Sequence, residues 1–309
     1  MGDLVPLPPP APDALEKIQA LVLDSVSSTH SRRAYAKALA AFLHWFRAGS
    51  RGGFTKAAVQ AWRTELESRG LAPSTINVRL AAVRKLATEA ADNGLLAPEI
   101  AAGIARVKGA RRQGVRIGNW LTKEQTEQLL RLPDPSTLKG KRDRALLALM
   151  IGCGLRRNEA AGLSFECIQQ REGRWVIVDL VGKHGRVRTI PMPGWAQAAI
   201  SIWADAAGLS SGRILRAINK GGRILHASMT PQSIFMTVGK YGSRIGLPIA
   251  PHDLRRTFAK LAHKGHAALE QIQLSLGHAS ILTTERYLGV RQDLHDAPCD
   301  HLGLDINGG

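Results

Sequence analysis

Apolar residues recur at helical spacing through the first hundred positions of this 309-residue chain, and then the pattern stops. From Gly103 to Gly118 the sequence reads Gly-Ile-Ala-Arg-Val-Lys-Gly-Ala-Arg-Arg-Gln-Gly-Val-Arg-Ile-Gly, with five basic side chains, no acidic one and no periodicity. No other feature limits the fold so strongly. A segment without an apolar stripe reads as a linker, so the stripes on either side of it are expected to form two cores. The expected organisation is a helical domain over 13–102, a basic linker over 103–118, a second domain over 119–290 and a tail over 291–309.

Before the break the spacing predicts three helices. Tyr35, Leu39, Phe42 and Phe46 share one face of a helix over 31–47, and Gly49 follows it. Val59, Trp62 and Leu66 repeat the pattern up to Gly70. A third helix opens at Pro73-Ser74, carries Ile76, Leu80, Val83 and Leu86, and stops at Asn93-Gly94. Beyond the break, Thr122 with Gln125 forms a capping box ahead of Leu129 and Leu130. Residues 142–151 read as a buried helix, and a short helix carries Arg156 and Glu159. Trp175 to Val181 is a β-branched run, Lys183-His184-Gly185 a turn and Val187 to Pro191 a returning strand. Pro193 opens a helix to about Ala207, Asn219-Lys220-Gly221-Gly222 marks a weaker hairpin, and helices follow from Pro231. The fold class expected is mainly α with small β elements. Trp120, Trp175, Trp195 and Trp203 are expected in the core rather than stacked on bases.

The chain holds 42 Lys and Arg against 25 Asp and Glu, a net charge of +17. Residues 1–112 carry +7, residues 113–287 carry +13 and the tail after them −3. A 44% hydrophobic content excludes a disordered basic tail protein. The longest apolar run, Ala145 to Leu155, is too short to span a bilayer, and the proline-rich start lacks the pattern of a secretion signal, so a cytoplasmic protein is expected. Cys153, Cys167 and Cys299 suggest neither a disulfide framework nor a metal site, and no metal or cofactor is expected. Surplus cations over both halves fit a polyanion gripped by both domains. Arg79, Arg84 and Lys85, beside Asn77 on the polar side of the third helix, and Arg111 and Arg112 in the linker are the candidate phosphate contacts. A ribosome-associated or RNA-binding protein has the same composition.

The second domain collects Arg156, Lys183, His252, Arg255, His278 and Tyr287. His252 and Arg255, three residues apart, project from one face of a helix start, a seat for an anion. Taken one at a time, Arg156 reads as a surface cation, the histidines as satisfied polar residues and Tyr287 as a packing residue. Together, and in order, these segments resemble the tyrosine recombinase family of phage integrases and Xer-type resolvases, over most of the chain from about Ser31 to Tyr287. Gly154-Leu155-Arg156-Arg157-Asn158-Glu159 is similar to the first-arginine box. Gly182-Lys183-His184-Gly185-Arg186-Val187-Arg188 with Ile190-Pro191 resembles the hairpin that bears the catalytic lysine. Pro251-His252-Asp253-Leu254-Arg255, Leu276-Gly277-His278 and Thr283-Thr284-Glu285-Arg286-Tyr287 match the remaining boxes.

The resemblance implies a helical core-binding domain joined to a mixed catalytic domain. It implies a site-specific recombinase that cuts and rejoins DNA through a covalent 3′-phosphotyrosyl intermediate. Tyr287 becomes the nucleophile, Arg156, Arg255 and His278 hold the phosphate oxygens, His252 is the base or orients the phosphate, and Lys183 is the general acid. Glu159 supports the site. Arg188 and Arg256 are structural or phosphate-contacting, and Arg256 stands where relatives commonly have a second histidine. The implied partners are double-stranded DNA bearing a recombination site, a homotetramer on it and an accessory or partner recombinase, in the nucleoid. With the first helical domain opening near the start, no arm-binding domain is expected ahead of it. Relaxation by a type IB topoisomerase, or DNA binding by a non-catalytic relative, are the alternatives.

Overall fold

The computed structural model describes residues 12–49, 53–111, 119–182 and 185–289. They fall into two compact units, Met1–Arg116 and Ile117–Gly309. The first holds α1 (Pro12–Asp24), α2 (Thr29–Arg47), α3 (Lys56–Ser68), α4 (Pro73–Asp92) and α5 (Pro98–Ala105). Ser28 and Thr55 cap α2 and α3 through their hydroxyls, while α4 and α5 start on proline, whose missing N–H is no loss at a helix start. Ile76, Leu80, Val83 and Leu86 of α4 are buried, and α4 packs against each of the other four helices. Phe42, Phe54 and Trp62 build an aromatic cluster in that core, with the Phe42 ring 5.0 Å from Trp62 and 5.5 Å from Phe54.

Part of the stretch where the sequence predicts a linker is packed instead. Helix α5 runs to Ala105, and Val107 and Ala110 are buried. Asn77 donates to the Ala110 carbonyl at 3.1 Å and accepts from its amide at 2.8 Å, and Arg84 donates to the Val107 carbonyl. Side chains of α4 hold this strip, so no apolar period of its own marks it. Residues 112–118, with Arg112, lie outside the described residues.

The second unit opens with α6 (Lys123–Arg131), where Thr122 and Gln125 form the reciprocal capping box. Next come α7 (Leu138–Gly152), buried along most of its length, and α8 (Arg157–Gly162). Strands β1 (Ile168–Arg171), β2 (Arg174–Val181) and β3 (Val187–Pro191) form an antiparallel sheet in that order. After α9 (Gly194–Ala207), β4 (Arg216–Ile218) and β5 (Ile224–Ser228) pair as a second, two-stranded sheet. Helices α10 (Pro231–Arg244), α11 (Pro251–Lys264), α12 (Leu269–Leu276) and α13 (Ile281–Leu288) complete it. The core gathers α7, Ile177, Leu180 and Ile190 of the β2–β3 pairing and α9 with Trp203, whose indole N–H donates to the Ile214 carbonyl at 2.8 Å. Two of the four tryptophans expected inside are not there. Trp195 is 48% exposed, and Trp120 lies under Lys260 and Lys264, at 5.6 and 5.4 Å from their ammonium groups. Among the described residues no helix is long and apolar enough to cross a membrane.

Candidate active site

Four elements of the second unit converge. Gly154, at φ +60°, turns the chain out of α7 so that Arg156 becomes the N-cap of α8. The Arg156 amide donates to Glu159 Oε2 and its guanidinium to Oε1, each at 2.8 Å. Helix α11 begins on Pro251, and Asp253 accepts from the Ala250 amide at 2.8 Å, so this first turn is rigid where it carries His252, Arg255 and Arg256. Arg255, 1% exposed, donates to the Gly154 carbonyl at 2.6 Å and to the Leu276 carbonyl. One side chain thus ties the approach to α8 to the end of α12. There Gly277 adopts the left-handed cap conformation, and His278 follows with Nδ1 3.0 Å from the Thr284 hydroxyl. Helix α13 carries Tyr287, whose hydroxyl donates to the His252 carbonyl at 3.3 Å. Its ring centroid lies 5.3 Å from both imidazoles.

Behind these groups sits Glu159, buried and shared by three arginines. Arg188 of β3 meets it with a two-pronged fork at 3.2 and 2.9 Å, Arg156 adds its own contact, and Arg255 lies 4.0 Å away. Burial pushes the Glu159 carboxyl upward, but hydrogen bonds from Arg188 and the Arg156 amide, with the Arg188 charge, outweigh it and hold the group below its usual value. Burial and the charge of Arg156 bring Arg255 down to about 10. His278 falls to about 4, first through desolvation and then through Arg255 and Arg156. His252 is exposed as a residue, yet its ring lies against Tyr287; desolvation there, then Arg256 and Arg255, lower it too. Both imidazoles are therefore biased toward the neutral form. Tyr287 is raised by burial, partly offset by Arg255 and Arg256.

The remaining expected residues are scattered. Lys183 lies outside the described residues, between Gly182 of β2's end and Gly185. Arg188, expected as structural or phosphate-contacting, directs its fork at Glu159 and its Nε at the Ser275 carbonyl at 3.0 Å, which is a structural arrangement. Arg84, expected to grip phosphate, is turned onto Val107 instead. Lys85 stands 3.5 Å from Glu89, Arg79 is half-buried on α4, and Arg111 is exposed. Arg256 sits over the Tyr287 ring at 4.9 Å. Thr284, fully buried beside His278, is a site residue that sequence reasoning did not single out, because nothing in a Thr-Thr pair marks which one turns inward.

The architecture, a five-helix unit followed by a mixed unit with two small antiparallel sheets, is the core-binding and catalytic arrangement of a DNA strand-exchange enzyme. It matches the XerH site-specific recombinase bound to difH substrate in a pre-cleavage complex, with a TM-score of 0.69 at 17% identity over 94% of this chain and 96% of that one. A lambda integrase dimer bound to a core site gives a TM-score of 0.68 at 16% identity, over 91% of this chain and 78% of that one. Residues 119–293 match the phage integrase family, and residues 18–94 its N-terminal SAM-like domain. Tyrosine recombinase XerC of Roseiflexus castenholzii is 30% identical over 278 residues, covering 86% of this chain and 85% of the relative. XerC of Xylella fastidiosa strain M23 is 28% identical over 265 residues, covering 84% and 86%. The chain belongs to the phage integrase family of tyrosine recombinases, and its reaction is site-specific DNA recombination.

Proposed function

We propose that Tyr287 is the nucleophile of this recombinase. Its oxygen attacks the scissile phosphorus, a 3′-phosphotyrosyl bond forms, the bond to the 5′ oxygen breaks, and resealing reverses the exchange on a new 5′ hydroxyl without a nucleotide. The observation that carries this reading is the convergence of two arginines, two imidazoles and one phenol. A guanidinium has five N–H groups, so Arg255 keeps donors beyond its two carbonyl contacts, and Arg156 beyond Glu159. Both then clamp the non-bridging oxygens where charge develops. A Thr284 hydroxyl donated to Nδ1 of neutral His278 leaves the proton on Nε2, free to donate to the same oxygens. His252, biased toward the neutral form and against Tyr287, takes the phenolic proton or orients the phosphate.

Lys183 protonates the leaving 5′ oxygen. Arg79, Lys85, Arg111 and Arg112 grip phosphates, two protomers act at each of two sites as a tetramer, with an accessory or partner recombinase, and the enzyme works in the cytoplasm on the nucleoid. The DNA-bound relatives support a DNA site as the partner. The role of Lys183 has a direct test. Lys183→Ala should slow cleavage about 100-fold or more on a normal 5′ oxygen and be rescued by a 5′ thiol, which needs no acid. Equal slowing on both substrates removes Lys183 from that role.

A further inference from the structure

Each guanidinium of the site but one has a partner that accounts for it. Arg156 and Arg188 meet Glu159, and Arg255 meets two carbonyls. Arg256 has none of these: among the described residues no carboxylate lies within ion-pair distance of it, and its buried Nε has no hydrogen-bond partner. Its guanidinium carbon instead stands 4.9 Å from the centroid of the Tyr287 ring. A buried donor left without an acceptor is costly, and a cation kept there without a counterion is more so.

We propose that Arg256 is a positioning residue for Tyr287, holding the phenol ring against α11 and supplying the countercharge for the phenolate that forms when the hydroxyl loses its proton. The inference rests on Tyr287 being the nucleophile. The guanidinium enters no bond: the phenolic proton leaves to His252 or water, the oxygen bonds phosphorus, and Arg256 keeps all its protons. The setting favours Arg256 for this task over its neighbours. Arg156 is directed at Glu159, whose carboxylate it shares with Arg188, and Arg255 is fastened to carbonyls with Glu159 4.0 Å away. His252 and His278 are biased toward the neutral form, and Asp253, the acidic group on this side, is turned onto the Ala250 amide. Tyr287 is thus faced by Arg156, Arg255, Arg256, His252, His278 and Asp253; of the three cations Arg256 is the one stacked over the ring and, among the described residues, the one with no carboxylate within ion-pair distance. Burial raises Tyr287, and Arg255 and then Arg256 pull it back.

The test places 3-fluorotyrosine at position 287 of the full chain and follows its ionisation by fluorine NMR, without DNA, in otherwise wild-type protein and in Arg256→Gln and Arg256→Lys. Arg256→Gln should raise the midpoint by on the order of one pH unit. Arg256→Lys should raise it less, because an ammonium keeps the charge but does not lie flat on a ring. In parallel, single-turnover cleavage of a nicked suicide substrate by saturating Arg256→Gln should slow about tenfold near neutrality and recover as pH rises, at unchanged DNA affinity. An unmoved midpoint overturns the proposal. So does weaker DNA affinity with cleavage of bound DNA intact, which makes Arg256 a phosphate contact. Should Arg256→Gln fail to fold, Arg256→Met, which keeps an unbranched side chain and removes the charge, takes its place, and an unmoved midpoint there overturns the proposal. A Tyr287→Phe protein that still forms the covalent adduct refutes the nucleophile itself, independently of the NMR result.

Discussion

Glu159 is the residue on which the site's geometry depends most. It enters no bond-making step, yet it holds Arg156 and Arg188 and lies beside Arg255. Glu159→Gln leaves the buried Arg188 fork without its counterion and should cost about 3 kcal/mol of stability in denaturant unfolding. Cleavage should fall with it, because Arg156 loses its anchor. The carboxyl titrates lower folded than unfolded, so its contribution is complete above the ordinary glutamate range and fades as pH falls through the lower, folded value. An acid unfolding curve of wild type should therefore be steeper below pH 4.5 than that of Glu159→Gln. At this level the sequence singled out Arg156, His252, Arg255, His278 and Tyr287 only as an ordered set, since each alone reads as an ordinary surface, polar or packing residue, and the fold brings them together. Side-chain direction was not legible. Arg84 reads in the sequence as a phosphate contact and Arg188 as either structural or phosphate-contacting, and only the positions of Val107, Glu159 and Ser275 show where the two side chains turn.

The helices were the most legible elements, because α2, α3 and α4 are long enough to repeat an apolar stripe and begin on recognisable caps or prolines. Short elements escaped. Helix α5 spans eight residues, about two turns, and β1 has a burial pattern with no alternation to detect. The turn between α7 and α8 shows how one residue of such a connection bears on the chemistry. Gly154 sits at φ +60°, and a Cβ there would come within 2.6 Å of the Phe258 ring. Gly154→Ala should combine left-handed strain with that clash, lower stability by about 2 kcal/mol or more and displace the carbonyl that Arg255 holds. A thermal melt measures the first effect and single-turnover cleavage the second. A neutral result on both would show that the turn adapts without moving Arg156.

Among the described residues, buried apolar side chains gather in two large clusters, one around Phe42, Trp62 and α4 and one around α7 and Trp203, with a small third one of Ala259, Ile272, Leu276 and Leu288 against which Tyr287 packs. The charge of +17 belongs mostly to neither core nor chemistry. DNA affinity should accordingly fall about a thousandfold or more between 50 and 200 mM salt, and neutralising the exposed Arg111 should reduce the slope while leaving cleavage of bound DNA intact. Loss of cleavage at unchanged affinity would show that Arg111 acts in the site. The most direct trial of Tyr287 uses a nicked suicide substrate bearing the cognate site, incubated with wild-type and Tyr287→Phe protein. Wild type should trap a covalent protein–DNA adduct that Tyr287→Phe, bound equally well, does not form. No adduct from wild type on a site that it binds, or an adduct that survives in Tyr287→Phe, would contradict the assignment.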